Sequence, residues 1–312
     1  MTAPIVAPSE ESAAPEPTSP RRRRRMQGTE TRRANPLTHI LLIVACVVWL
    51  VPAVGLFVAS FRTAQSTNES GWWTAWQLPW DFTLDNYAYV LERGGIWSAF
   101  LNSFYITIPA TVLVTMVAGF AAYAFAWMKF PGRDLLFLIM VGLLVVPLQV
   151  TFIPVLSLFR DAEFLGYELS GSFLVIWLAH TGYGLPFAVY LLRNYMGGLP
   201  QTVFEAAEID GAGHATIFFR LVVPMSVPAL ASLVIFQFLW VWNDLLVALV
   251  FLGPVPANHP LPVTLANLTT NFGGNWQFVT AAAFISMAIP LLVFFLLQRF
   301  FVRGVTGGAV KG

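Results

Sequence analysis

The sequence predicts an all-α polytopic membrane protein with six transmembrane helices, and three observations carry that prediction. First, 57% of the 312 residues are hydrophobic and only 11% are charged, whereas a soluble domain carries about 25% charged residues. Second, six apolar runs reach the length of about 20 residues that a hydrocarbon core demands: His39–Phe61, Phe100–Trp127, Leu135–Phe159, Phe173–Leu192, Ser226–Leu252 and Val279–Phe301. Third, the basic residues divide unevenly between the two sides of these runs. Of the 17 lysines and arginines, all but Arg62, Arg93 and Arg160 fall on the side of the N-terminus. The positive-inside rule then places both termini in the cytoplasm, in a plasma-membrane protein of the multi-pass kind.

The residues ahead of the first run form a separate division, a leader over 1–36 preceding the transmembrane domain of 37–312. Its opening, MTAPIVAPSEESAAPEPTSP, is rich in Pro, Ser, Ala and Glu without apolar periodicity, a composition that predicts disorder. The arginines Arg21–Arg25, Arg32 and Arg33 follow. A basic run just before a membrane span is a topology signal rather than a nucleic-acid arm, so no nucleic-acid partner is expected. The apolar run behind it is too long, and too free of a small-residue cleavage site, for a removable signal peptide. In that run lies Cys46, the single cysteine; no disulfide framework exists, and the thiol is expected to be buried and inert.

The longest connector, Arg62 to Ser98, contains WWTAWQLPWDFTLDNYAYVLERGG. Its tryptophans suggest an interfacial belt, and Thr83 is placed to cap a short helix through Val90. In the third span, Pro147 and Pro154 predict a bend near Gln149. After the fourth span comes EAAEIDGAGHATIFFRLVVP, Glu205 to Pro224, a polar segment between two apolar runs. Pro200 suits a helix start, and Gln201 to Asp210 has good helix formers. Gly211-Ala212-Gly213 breaks that helix. A second helix, His214 to Val222, is expected to stop near Pro224. Glu205 and Glu208 lie three residues apart, and the alanines beside them allow another surface to approach closely. An amphipathic helix lying on the membrane is the alternative, but the first helix is acidic, the wrong sign for anionic lipid. A docking element for a soluble partner fits better.

The spacing of Glu205, Ala206, Ala207, Asp210, Gly211 and Ala212, followed by Phe218, Leu221 and Pro224, resembles the EAA loop of permease subunits in ATP-binding-cassette importers. FTLDNYAYVL (Phe82–Leu91), FLNSFYIT (Phe100–Thr107), AAYAFA (Ala121–Ala126), VVPLQVTFIP (Val145–Pro154), VWND (Val241–Asp244) and the C-terminal VRGVTGGAVKG resemble the carbohydrate-uptake branch, in its maltose/α-glucoside type. The resemblance covers Pro36 to Gly312; Val222-Val223 stands where the loop's usual aliphatic pair precedes its proline. It implies a cytoplasmic coupling helix between spans four and five that fits a groove on a separate ATPase dimer. Glu205 would be the docking carboxylate and Gly211 the break that sets the turn, and Lys311 and Gly312 would belong to a tail at the ATPase interface. It also implies a second permease subunit and an extracytoplasmic sugar-binding protein, toward which the connector Gly253–Phe278 would reach if it is more than a plain loop. No G-x-x-x-x-G-K-[ST] occurs, because no Gly precedes a Lys. ATP with Mg would therefore be used by the partner, and this chain, binding no cofactor, is not expected to be an enzyme.

Polar groups inside spans are costly in lipid and so mark candidate sites. Asp244 is the only carboxylate within a predicted span, about 12 Å from its outer end at 1.5 Å per residue. Gln149 and His180 fall at a similar depth, about 10–13 Å. Gln237, Trp240 and Asp244 share one helical face, with Asn243 beside it. Amide, carboxylate, imidazole and indole together suit a sugar path. The competing reading makes Asp244 and Asn243 a hydrogen-bonded clasp between spans and His180 a packing residue. Other functions fit less well. A proton-coupled secondary transporter needs several intramembrane ionisable groups. An importer permease for another small solute would share the loop but not the WND and Gly-Ala-Val-Lys-Gly features. His39, His180, His214 and His259 are too scattered for a metal site.

Overall fold

The computed structural model describes residues 36–160, 162–164, 166–271 and 275–307. The leader before Pro36, and Lys311 and Gly312, lie outside the described residues. The first apolar run is helix α1 (Pro36–Ser60). Up to Trp49 it forms a unit described by itself, and there Cys46 is exposed. The expectation of a buried thiol is corrected: a helix apolar all round can turn any of its residues toward lipid.

From Leu50 onward the chain forms the second unit. The last turns of α1 bury Gly55, Val58 and Ser60. A Cβ on Gly55 would lie 2.6 Å from Trp72 Nε1, so only glycine admits the indole here. The carbonyls of Ser60 and Arg62 accept from Asn86 Nδ2, both at 2.9 Å, which satisfies groups that a helix end leaves open. The buried Arg62 side chain donates to the Ser70 carbonyl at 3.0 Å and to Ser70 Oγ at 2.6 Å. This ties down α2 (Ala64–Glu69). Trp73, Trp76 and Trp80 stand exposed beyond it. Thr83 Oγ1 accepts from Asp85 N–H at 3.0 Å, at the start of α3 (Asp85–Glu92).

Helix α4 (Ile96–Trp127) buries Ser103, Thr107, Ala110, Val114, Ala118 and Ala122. That three-and-four spacing of small residues makes a face on which another backbone can approach closely. The third span is broken into α5 (Arg133–Gly142), a 3₁₀ turn at Leu143–Val145, and α6 (Leu148–Arg160), bent by 109°. The cause is Pro147, since the residue before a proline is pushed out of the helical region; Val146 is extended, with φ −72° and ψ 120°. Pro154, by contrast, sits inside α6 without interrupting it. A hairpin of Glu163–Phe164 with Tyr167–Glu168 leads to α7 (Phe173–Met196). Ser172 Oγ caps α7 by accepting from Val175 N–H at 3.4 Å. The small-residue face of α4 packs against α7 more extensively than any other pair of helices described.

Next come α8 (Gln201–Ile209), α9 (His214–Ile217), a π-helical turn at Phe218–Val222, α10 (Val223–Met225) and α11 (Val227–Trp242). The second helix of the polar segment ends at Met225, next to Pro224, where its stop was expected. It meets α11 at 75°. The fifth span, expected as one piece, ends at Trp242 and restarts as α12 (Leu246–Leu252).

The connector after it is tied to α4 and contains a helix. Asn102 Nδ2 donates to the carbonyls of Ala257 at 2.7 Å and His259 at 3.1 Å, and Leu261 N–H donates to Ser103 Oγ at 2.9 Å. The connector then forms α13 (Leu261–Asn271), which packs on α4 and on α14 (Trp276–Gly307). Among the described residues, four helices are long and apolar enough to cross a membrane, and six crossings result if each bent pair is one span.

Candidate functional site

Two places gather the residues singled out by sequence. The first is the segment around α8. Pro200 precedes the helix in an extended conformation, φ −63° and ψ 117°. Phe204 is buried and lies flat on Trp127 at the end of α4, with centroids 3.9 Å apart and planes 20° apart. Trp127 Nε1 donates to the Met196 carbonyl at 3.0 Å, so one indole joins α8 to the ends of both α4 and α7. Ala207 and Ala212 are partly buried against the same cluster. Glu205, Ala206, Asp210 and Gly211 are exposed, and Glu205 Oε1 accepts from Gln201 Nε2 at 2.8 Å.

Gly211 ends α8 with φ +77°. Its N–H donates to the Glu208 carbonyl at 3.0 Å, and Ala212 N–H donates to the Ala207 carbonyl at 2.9 Å. This paired closure is the Schellman arrangement, which needs a left-handed residue where Gly211 stands. Open space surrounds a Cβ built there, so the constraint is on the backbone alone. Sequence reasoning passed over Ile209, which is 86% exposed. Its signal was available, since the isoleucine follows Glu205 and Glu208 and closes the last turn beside exposed Asp210. Beyond the turn, Tyr123 Oη lies 3.0 Å from His214 Nδ1, and Phe218 stacks on Phe120 with centroids 4.8 Å apart.

The second place is the break in the fifth span. Trp242 is 1% exposed and donates Nε1–H to the Ser286 carbonyl at 3.1 Å, pinning the end of α11 to α14. Asn243 Nδ2 donates to the Leu239 carbonyl at 2.7 Å, and Asp244 Oδ2 accepts from Ala248 N–H at 3.1 Å. The Asn243 side chain adds to the backbone bond that the Leu239 carbonyl already accepts at 3.2 Å, and the Asp244 side chain meets an open N–H at the start of α12.

Asp244 Oδ2 also lies 3.8 Å from His180 Nε2. His180 is 1% exposed, and its ring meets Trp240 edge-on at 6.0 Å. One turn along α7, Gln237 fills the space left by Gly184, where a Cβ would sit 2.7 Å from Gln237 Nε2. The shared face expected for Gln237, Trp240 and Asp244 presumed an unbroken helix. The chain instead turns at Asn243, yet His180, Trp240 and Asp244 still come together, with Asn243 exposed beside them. Gln149 does not join them: it is exposed on the first turn of α6, just past the 109° bend. A cleft of about 750 Å³ opens here, walled by Phe236, Leu239 and Phe294, with Trp240, Asn243 and Asp244 on its lining. Among the described residues, no three His, Cys, Asp or Glu side chains gather as metal ligands would.

A family model, the binding-protein-dependent transport system inner membrane component, matches residues 115–307. Among curated relatives, the osmoprotective compounds uptake permease protein GgtD of Synechocystis sp. is 53% identical over 276 residues, covering 88% of this chain and 91% of its own length. The alpha-glucoside transport system permease protein AglG of Rhizobium meliloti is 52% identical over 256 residues, 82% of this chain and 67% of its own. Among solved structures, a crystal structure of a bacterial ABC transporter involved in the import of the acidic polysaccharide alginate aligns with TM-score 0.72 and 23% identity. It covers 85% of this chain and 95% of that one, a likeness of fold. With the match running from the middle of α4 through the polar segment and the broken span into α14, the chain belongs to the binding-protein-dependent transport system inner membrane components, multi-pass membrane proteins that transport rather than catalyse.

Proposed function

We propose that this chain is the membrane-spanning permease subunit of an ATP-driven importer for sugars or oligosaccharides, and that α8 couples it to a separate ATPase. The single observation that carries the coupling role is the mounting of α8. It hangs by Phe204 from an indole shared between α4 and α7, while Glu205, Asp210 and Ile209 face outward. A push on the exposed side is delivered to two long helices at once, and a rigid Gly211 turn carries it on into the π-helical turn and α11.

In this reading α8 and both termini are cytoplasmic, as the basic residues suggest. An ATPase dimer uses ATP with Mg, and Lys311 and Gly312 extend toward its interface. A second permease completes a heterodimer, and an extracytoplasmic binding protein delivers the sugar near the connector that Asn102 and Ser103 hold in place. The substrate path runs by the cleft at Trp240, Asn243 and Asp244, with His180 and Gln237 behind it. Gln149 stands outside that path. The identity to a permease named for alpha-glucosides supports a glucoside-type substrate.

The test is purification of the chain in mild detergent with mass spectrometry of stoichiometric partners, followed by reconstitution. A second multi-span subunit and a Walker-motif ATPase should copurify, and uptake should require ATP. Glu205→Lys should leave insertion intact but abolish ATP-driven uptake. Unchanged uptake would remove the coupling role, and a chain that transports alone without ATP would replace the whole reading with a secondary transporter.

A further inference from the structure

The cleft beside the break differs from an ordinary sugar pocket in what it can offer a ligand. Its polar lining consists of Trp240, Asn243 and Asp244, and no lysine or arginine lines it. Asn243 has one donor committed to the Leu239 carbonyl, which leaves its amide oxygen and its second N–H to meet a solute. Asp244 has one oxygen held by Ala248 N–H, with its side chain 12% exposed. A carboxylate anchored to the backbone in this way cannot swing aside. Asp244 is thus an acceptor and Asn243 keeps its acceptor oxygen, next to an indole that can cover the C–H face of a ring. A carboxylate and an amide in mid-span do not belong against acyl chains, so this face lines a solute or a protein.

We propose that Asp244 is a specificity-determining residue: it makes the cleft accept neutral, hydroxyl-rich saccharides and reject saccharides that carry carboxylates. The inference rests on the path reading above and deepens it. Hydroxyl groups donate to the two acceptors, whereas a uronate would set its own anion against Asp244 in a low-dielectric site with no lining cation. Like charges juxtaposed in such a site are strongly disfavoured. The fold shared with an alginate importer then does not carry that importer's charge preference with it. Discrimination of this kind acts by repelling the wrong solute as much as by binding the right one.

The test is cysteine protection in the purified complex with its copurifying subunits. Cys46→Ser removes the native thiol and Phe236→Cys places one on the cleft wall, with maleimide labelling read on this chain by mass spectrometry. Maltotriose should slow labelling, and trigalacturonate should be weaker by about tenfold in the concentration required. Asp244→Asn removes the charge but keeps a residue that caps a helix as well as Asp does, so it should bring trigalacturonate to the level of maltotriose. Intact copurification of the variant shows that the fold survives. Equal protection by both sugars with Asp244 present, or an unchanged ratio in Asp244→Asn, overturns the filter alone. Protection by neither sugar overturns the filter together with the path reading beneath it.

Discussion

The segment around α8 and the break between α11 and α12 are built from similar residues and put them to opposite use. Each places carboxylates where a helix meets a sharp change of direction. At α8 the backbone closes on itself through Gly211, so Glu205, Glu208 and Asp210 remain on the surface. At the break no glycine is present; the backbone N–H groups of Asn243 and Asp244 close α11 onto Leu239 and Val241, and the side chains of both add bonds to the Leu239 carbonyl and to Ala248 N–H. Where glycine mends the backbone, the acidic groups are left for a partner. Where they mend it themselves, only what remains of their bonding capacity is left for a solute. The hydrogen-bonded clasp expected between spans is thereby corrected: Asn243 and Asp244 bond within the fifth span, to Leu239 and Ala248, and the path reading uses the bonding capacity that remains.

The comparison can be broken most severely at Trp242. Replacing a buried aromatic that also donates to Ser286 by alanine should cost about 3–5 kcal/mol, seen as a large fall in the unfolding midpoint of the detergent-purified complex; a small fall would mean that the break is not pinned to α14. Gly211→Val comes next. With open space around the side chain, the cost is the left-handed backbone, about 1–3 kcal/mol, and it should appear as lost ATPase copurification rather than lost insertion. Asn243→Ala and Asp244→Ala should each cost about 1 kcal/mol as lost caps, while Asp244→Asn should cost only a few tenths; equal losses for Asn and Ala at 244 would deny the capping role.

The smallest effect concerns a carboxylate with no part in either region. The Asp81 carboxyl is held below its ordinary value first by a hydrogen bond from Ser66 and then by one from Thr63. A depressed carboxyl contributes stability above the unfolded-state value and loses it as the pH falls through the folded one. The stretch from Arg62 to Phe82 should therefore become more protease-sensitive on acidification, and Ser66→Ala should move that onset to higher pH. An onset that does not move would mean that Ser66 does not hold the carboxylate.

Much of the fold was legible in the sequence because hydrophobic length and proline are strong local signals. The beginnings of the apolar runs, the bend at Pro147 and the Gly211 break all come from one or two neighbouring residues, whereas the helix expected to be capped by Thr83 has Leu84 at its N-cap. The interruption at Asn243 was not legible in the same way. No proline or glycine marks it, and apolar residues continue on both sides, so only the side-chain hydrogen bonds reveal two helices. The same holds for α13, whose position depends on Asn102 and Ser103, more than 150 residues earlier. His180 and Asp244 were grouped by similar depth alone; what brings them to 3.8 Å is the packing of α7 against the broken span. Ile209 was passed over because the weight was placed on the carboxylates and alanines around it.

The π-helical turn at Phe218–Val222 has a consequence for how the gene can change. Such a turn is an α-helix that has taken in one extra residue. Its flanks are independently seated, with Phe218 stacked on Phe120 and Val222 buried. Loss of the codon for exposed Arg220 would let the turn relax to ordinary α-helix while both flanks keep their faces. Loss of one codon for exposed Val234, inside α11, would instead rotate everything after it by about 100° and carry Trp242 away from Ser286. A deletion scan through this stretch should find tolerance concentrated in these five residues, which makes them the place where length variation can accumulate between a coupling segment and a span that must each stay in register.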